Sequence, residues 1–160
     1  MCGVSCGLSD SLVTTLLGNA RMSECELIKQ VEWELTIPIR HAVLWPHKKP
    51  EFCHVKNDPE GWHFACYVDE AITSVASVYR CEGGARLRKF ATLPEYQGRG
   101  MGSRVLQHIL CVVKDKGVTY FYCDARESAI DFYERFGLCT EGERFYKSDV
   151  PYFRMSMNNF

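Results

Sequence analysis

A glycine-rich segment between a strand-like run and a helix-like run is the feature that most limits how this chain folds. It follows the strand-like residues 86–92 and precedes apolar residues at helical spacing, from Val105 to Val113. A helix N-terminus leaves N–H groups without partners and carries a partial positive charge, and glycines let a ligand approach the backbone closely. The sequence therefore predicts a strand–turn–helix unit that binds phosphate through Gln97, Gly98, Arg99, Gly100, Met101, Gly102 and Ser103.

Glycine spacing separates this turn from two other phosphate-binding turns. The dinucleotide fingerprint G-x-G-x-x-G, counted from Gly98, requires a third glycine where the chain has Ser103. A nucleoside triphosphate loop ends in G-K-S/T, and the segment has no such ending. Arg99, Ser103 and Arg104 add charge and hydrogen-bond donors that suit a diphosphate. On the glycines alone, a turn without any ligand stays an equal alternative.

The rest of the pattern predicts one α/β domain over residues 22–160, because 160 residues suffice for a single hydrophobic core. Asp69 and Glu70 form a hairpin turn, and Gly117 and Gly137 end helices. We expect a mixed sheet of about seven strands, antiparallel in its first half and flanked by helices. The predicted strands are 27–31, 62–68, 71–79, 86–92, 118–123, 139–146 and 152–157, and the predicted helices are 39–44, 100–116 and 129–136.

Charge and hydropathy exclude some partners. The formal net charge is −1, which gives no bulk electrostatic signal for nucleic acid or an anionic membrane. No apolar run approaches the roughly 20 residues that a membrane-spanning helix needs. Residues 1–21 lack the basic start of a signal peptide, so we interpret them as a leader, either disordered or with an extra helix. We expect a cytoplasmic protein with no nucleic-acid or membrane partner.

The cysteines indicate free thiols in a reducing environment. There are nine, an odd number, scattered along the chain instead of grouped at the compact spacings of a disulfide framework. Zinc is the alternative interpretation. However, Cys53 with His54, and His108 with Cys111, do not form a paired ligand knuckle. The sequence therefore predicts no metal site.

Two motifs in one order resemble the signatures of a known enzyme superfamily. Gln97, Gly100 and Gly102 fit the core Q/R-x-x-G-x-G/A. The pattern A-x-x-F-Y-x-x-x-G-F is met by Ala129, Phe132, Tyr133 and Gly137, with Leu138 in place of the last phenylalanine. Over about residues 25–157 the chain therefore resembles the GNAT superfamily of N-acetyltransferases. Residues 39–46, 123–126 and 142–145 further resemble a bacterial subgroup of small, largely uncharacterised members.

The resemblance implies a fold and a co-substrate. GNAT sheets splay between strands 4 and 5, and the pantetheine arm of acetyl-CoA lies in the gap. Here Phe90, Ala91 and Thr92 would offer backbone groups to pantetheine and to the thioester carbonyl. Residues 97–103 would then hold the diphosphate.

The resemblance also implies catalytic roles. Tyr133 matches the tyrosine that in many members protonates the departing CoA thiolate, with a packed helix aromatic as the alternative. A base must remove a proton from the attacking amine, and Asp124 is the first candidate. Glu34, His41 and His63 are the others.

The acceptor is the least defined part of the prediction. We expect a primary amine of a small molecule or peptide to attack the thioester directly. A protein lysine or N-terminus and a non-catalytic acyl-CoA-binding module stay open as alternatives. Relatives of the subgroup commonly carry asparagine at the position of Asp124 and histidine near Tyr152, so both departures fall near the expected acceptor pocket. Many members of the GNAT superfamily form dimers, so a homodimer stays open as an alternative for this chain.

Overall fold

The computed structural model describes residues 26–159 and shows ten helices and strands in the predicted order within that range. The predicted leader at 1–21 lies outside the described residues. The strands are β1 (Glu26–Val31), β2 (Trp62–Val68), β3 (Ala71–Cys81), β4 (Gly84–Thr92), β5 (Tyr120–Arg126), β6 (Cys139–Lys147) and β7 (Val150–Asn158). The helices are α1 (Ile37–Leu44), α2 (Met101–Asp115) and α3 (Ile130–Glu134).

The strands form one seven-stranded sheet in the order β1-β2-β3-β4-β5-β7-β6. The pair β4–β5 is parallel, and every other neighbouring pair is antiparallel. This confirms the predicted mixed sheet with an antiparallel first half. The third helix is shorter than predicted at both ends, because Glu127–Ala129 form a 3-10 turn before it and it ends at Glu134 instead of residue 136.

Helices cover both faces of the sheet. The apolar side of α2 packs with α3 on a core that includes Phe64, Leu106 and Phe121, all fully buried. On the opposite face, Ile39 of α1 packs with Val75 and other small apolar side chains of the sheet. In the described part of the chain, no helix is long and apolar enough to cross a membrane.

The sheet opens between its two parallel strands. β4 and β5 are paired only at Ala85 with Phe121, Arg86 with Tyr122, and Leu87 with Cys123. Beyond these pairs β4 stays with β3, as far as Thr92, and β5 stays with β7, as far as Arg126. The two strands therefore separate, and residues 88–92 face a gap where a parallel partner would otherwise lie. This is the predicted splay between strands 4 and 5.

A bulge in β4 lies at this opening. Val75 and Ser77 are two residues apart on β3, but their partners Ala91 and Arg88 are three apart on β4. Lys89 takes up the extra residue with a φ of 53°, a left-handed conformation that is uncommon for a side-chain-bearing residue. The bulge shifts the alternation of side chains by one residue, so that Leu87 before it and Phe90 after it pack in the same core although they are three residues apart.

A fully buried ion pair fixes α1 to the sheet. Arg40, at 0% exposure, contacts both carboxylate oxygens of Asp58, at 2.9 and 3.0 Å. Its guanidinium also donates to the Ser77 hydroxyl at 2.7 Å, and the Tyr79 hydroxyl donates to Asp58 at 2.6 Å. Burial alone would raise the pKa of Asp58, but hydrogen bonds from Arg40, Tyr79 and Val55 outweigh it and hold that pKa below its ordinary value. This network joins α1, the segment before β2, and β3.

We predict that Asp58→Ala lowers the free energy of unfolding by about 3–5 kcal/mol, because it leaves the buried Arg40 charge without a partner. Chemical denaturation at neutral pH measures this. Glu60→Ala is the matched control, because Glu60 is an exposed carboxylate in the same 3-10 turn. Equal, small effects of the two changes would contradict the assignment of the ion pair as the anchor of α1.

The ion pair of Arg40 and Asp58 should also make the stability of the fold depend on pH. A lowered pKa in the folded state stabilises the fold above the unfolded-state pKa of about 4, and the contribution is lost as pH falls through the folded-state pKa. The stability difference between the wild type and Asp58→Ala should thus stay constant from pH 5 to 8 and shrink below about pH 4. Denaturation curves across this range test it, and a difference that persists at low pH would contradict it.

Candidate active site

A cavity of about 710 Å³ occupies the gap between β4 and β5. We call it the strand-gap cavity. Its wall combines the end of α1, the separated halves of β4 and β5, the α3 region and the β6–β7 hairpin. The lining residues are Leu44, Trp45, Arg86, Leu87, Arg88, Lys89, Phe90, Cys123, Asp124, Ala125, Arg126, Ala129, Tyr133, Lys147 and Tyr152.

A second cavity of about 580 Å³ lies along the glycine-rich turn. We call it the glycine-turn groove. Its lining includes every residue predicted to bind the co-substrate except Arg99, whose guanidinium lies 5.2 Å from the centre of the Tyr96 ring. The lining residues are Val43, Phe90, Ala91, Thr92, Tyr96, Gln97, Gly98, Gly100, Met101, Gly102, Ser103, Ala129, Phe132, Tyr133 and Arg135.

The two cavities meet at three shared residues, Phe90, Ala129 and Tyr133. Phe90 follows the bulge in β4, and the other two belong to the α3 region. A long ligand that lies in the glycine-turn groove therefore reaches the strand-gap cavity past Tyr133. The two sequence motifs, far apart along the chain, come together at this junction.

The glycine-rich turn leaves room for a ligand at the start of α2. Gly98 and Gly100 have φ angles of 72° and 85°, and a Cβ added to either would meet no atom within 4 Å. Gly100 is the N-cap of α2, and no side chain among the described residues caps that end. The Gln97 amide donates to the Thr92 carbonyl at 2.9 Å and so fixes the turn to the end of β4. The open space and the free helix N–H groups fit a diphosphate.

Tyr133 is held in a buried position at the junction. It is 9% exposed, and its ring packs edge-on against Phe132 with 5.1 Å between ring centres. Burial, followed by the adjacent Cys123 thiol with which it shares a hydrogen bond, raises the pKa of Tyr133 above its ordinary value. The phenol is therefore protonated at every physiological pH. A phenol that keeps its proton in this way can donate a hydrogen bond to an atom that gains negative charge, such as the sulfur of a leaving thiolate.

Cys123 also lines the strand-gap cavity, but it is a poor nucleophile. The residue is 2% exposed, and burial raises the pKa of its thiol to about 12. The thiolate is the reactive form of cysteine, and very little of it exists near neutral pH. Cys123 is therefore unsuited to take up an acyl group as a nucleophile.

Asp124 lies in the strand-gap cavity, where it is surrounded by cations. Its carboxylate pairs with Arg86, with Lys147 at 3.1 Å, and with Arg154 at 3.7 Å. Burial acts to raise its pKa, but the hydrogen bond from Lys147 and the three positive charges outweigh burial and lower it. A carboxylate stabilised in this way is a weak base. Its surroundings suit an anchor for basic side chains better than the proton acceptor predicted from the sequence.

The other three candidates for the base line neither cavity. His63 Nδ1 lies 2.8 Å from the Ser77 hydroxyl inside the Arg40 network. His41 Nε2 lies 2.7 Å from the Lys48 carbonyl on the protein surface. Glu34 is exposed in the 3-10 turn that precedes α1. Residue type alone selected these three, and the fold places them elsewhere.

Sequence reasoning missed Lys89. The bulge points its side chain into the strand-gap cavity, with Nζ 4.0 Å from the centre of the Trp45 ring. Burial, and then the positive charges of Arg88 and Arg40, lower the pKa of Lys89 to about 8. The one sequence signal was two adjacent basic residues in a predicted strand, which alternation alone would have placed on opposite faces.

No group of three or more His, Cys, Asp or Glu side chains within residues 26–159 is arranged to hold a metal ion. The six cysteines of that range are all free thiols.

Comparisons with known proteins agree with this geometry. A profile of the acetyltransferase (GNAT) domain matches residues 50–159. An uncharacterized N-acetyltransferase of Bacillus subtilis, YitI, is 33% identical over 133 residues, which is 78% of this chain and 87% of YitI.

Solved structures share the fold. An N-acetyltransferase of Lactobacillus plantarum superimposes with a TM-score of 0.75 at 15% identity, over 84% of this chain and 99% of that one. A GNAT acetyltransferase of Elizabethkingia anophelis with acetyl-CoA bound superimposes with a TM-score of 0.63 at 11% identity. The match covers 83% of this chain and 97% of that one. The chain therefore belongs to the GNAT family of acetyl-CoA-dependent acyltransferases.

Proposed function

We propose that this chain transfers the acetyl group of acetyl-CoA to a primary amine of a small molecule. The observation that carries the proposal is the junction of two cavities at the buried phenol of Tyr133. One cavity has the open helix N-terminus that a diphosphate needs. The other lies in the sheet opening and has room for the end of the pantetheine arm and for a second substrate.

The size of the strand-gap cavity supports a small acceptor. Its volume of about 710 Å³ lies within the range of about 300–1,000 Å³ that is usual for small-molecule sites. Trp45 at the end of α1 and Tyr152 in β7 contribute to its wall, so the cavity has walls on several sides. A long peptide groove would be lined by a more extended set of residues.

In the proposed reaction, a bond forms between the amine nitrogen and the acetyl carbon while the carbon–sulfur bond breaks. The amine nitrogen loses one proton to solvent, the sulfur gains one from Tyr133, and the Tyr133 phenolate then takes a proton back from solvent. Backbone groups of β4 after Leu87 lack a strand partner on the β5 side, so they are free to orient the thioester. Tyr133 gives its phenolic proton to the sulfur, because the burial that raises the pKa of the phenol also disfavours a charged thiolate in the same site.

We predict that Gly100→Ala weakens binding of CoA by at least about tenfold, since a side chain enters the open space at the start of α2. Isothermal titration calorimetry with CoA measures this. The left-handed conformation also costs about 1–2 kcal/mol of folding stability with any Cβ.

Gly117→Ala is the matched control for Gly100→Ala. Gly117 has a φ of 74° and equally open surroundings, but it follows the other end of α2. Both variants should lose similar stability, and only Gly100→Ala should lose affinity. Equal affinities for the two variants would contradict the assignment of this turn to the diphosphate.

We predict that Tyr133→Phe lowers kcat by about 10²–10⁴-fold while the Kd for acetyl-CoA stays within about threefold, because only the transferable proton is removed. Amine-dependent release of the CoA thiol measures the rate. Tyr67→Phe removes the same atom from a tyrosine of β2 that lines neither cavity, so it controls for general effects.

Two results would contradict the proposal. Full turnover by Tyr133→Phe would show that the phenol is only a packing group. Tight CoA binding by the wild type with no turnover of any amine would instead favour a non-catalytic acyl-CoA-binding module.

A further inference from the structure

Positive charge is concentrated in the strand-gap cavity. Five basic side chains line it, against the single carboxylate of Asp124. The whole chain has 19 basic and 20 acidic residues, so this concentration does not follow from composition. The five are Arg86, Arg88, Lys89, Arg126 and Lys147.

Asp124 neutralises only part of this charge. Its carboxylate binds Arg86 and Lys147 within the cavity wall. Among the described residues, the other three lining cations make no ion pair with a carboxylate. Arg88 lies over the Tyr79 ring at 5.9 Å, Lys89 lies over Trp45 at 4.0 Å, and Arg126 Nε donates to the Tyr152 hydroxyl at 3.4 Å. These contacts orient the three cations and leave their charge uncompensated.

The uncompensated cations lie on both sides of the opening. Arg88 belongs to β4, directly after its last pair with β5, and Arg126 ends β5. A guanidinium presents a planar set of donors that fits a carboxylate or phosphate with two parallel hydrogen bonds. An anionic group between the strands would thus meet a cation from each wall.

Aromatic rings form much of the remaining wall. Trp45, Phe90, Tyr133 and Tyr152 all line the cavity, and Trp45 and Tyr152 stand beside its cations. Flat apolar surfaces beside positive charge suit a molecule with an apolar body and an anionic group. A polycationic amine would be repelled here, since like charges brought close together cost several kcal/mol.

We infer that the acceptor amine carries an anionic group, a carboxylate or a phosphate, which the Arg88 and Arg126 guanidiniums bind in the strand-gap cavity. Amino acids and their analogues with an apolar side chain are the class that this cavity fits best. The inference rests on the proposed acetyl transfer, and it narrows the acceptor from any primary amine to an anionic one.

Matched acceptor pairs test the inference directly. Phenylalanine and phenethylamine differ only in the carboxylate, and phosphoethanolamine and ethanolamine differ only in the phosphate. Spermidine serves as the polycationic amine. Rates of CoA release are expressed per neutral amine present, so that differences in amine protonation do not enter. We expect kcat/KM to be at least about tenfold higher for the anionic member of a pair. The pair with the larger ratio of kcat/KM shows whether a carboxylate or a phosphate is preferred.

Variants test whether these two guanidiniums cause the preference. Arg88→Gln and Arg126→Gln should each raise KM for the anionic acceptor about tenfold or more. The ratio of kcat/KM between the anionic and the neutral or cationic member of a pair should then fall close to one. Arg80→Gln is the matched control, because Arg80 also lies over an aromatic ring, Trp62 at 5.0 Å, but outside the cavity. It should keep the wild-type ratio. Thermal melting and CoA titration confirm that each variant is folded.

Calorimetric titration of the same acceptor pairs into the CoA complex measures the binding preference separately from turnover. Turnover of neutral or cationic amines as efficiently as anionic ones would overturn the inference while the proposed function stands. No turnover of any amine would overturn the proposed function, and the binding preference would then decide the inference alone. Equal binding of phenylalanine and phenethylamine, and of the phosphate pair, would overturn it.

Discussion

The separation of β4 from β5 is the constraint on which the rest of the structure depends. Three pairs join the two strands, and after Leu87 each strand continues with its antiparallel neighbour alone. Backbone groups that a continuous sheet would use for its own hydrogen bonds are thereby exposed to a cavity. The bulge at Lys89 lies at this opening, and the strand-gap cavity and the glycine-turn groove meet beside it.

A second requirement is that the wall on the α1 side stays in place. α1 is short, with eight residues, and a helix of that length is not stable alone in water. The buried pair of Arg40 and Asp58 supplies a fixed attachment to β3 and to the segment before β2. Trp45, directly after α1, then meets Lys89 at the cavity. A buried ion pair of this kind stabilises little in net terms, but losing one partner is costly, so it fixes one arrangement of the wall.

The donor side of the site is predicted from short local motifs, and most residues of those motifs line one groove in the structure. Glycine spacing at Gly98, Gly100 and Gly102 is a local property, and local chemistry decides how a helix begins. The motif around Tyr133 likewise lies within a few residues. The proposed acceptor side could not be predicted in this way, because Arg88, Lys89, Arg126 and Trp45 come from three distant parts of the chain. A one-residue bulge reverses side-chain direction, and nothing in the run 86–92 marks it.

A crystal structure of the protein with CoA tests the central claim most directly. We expect the diphosphate on the N–H groups at the start of α2, the pantetheine arm between the separated halves of β4 and β5, and the sulfur within hydrogen-bond distance of the Tyr133 hydroxyl. A ligand that lies outside the opening would contradict the account. A sulfur that faces away from Tyr133, with the phenol still hydrogen-bonded to Cys123, would contradict it as well.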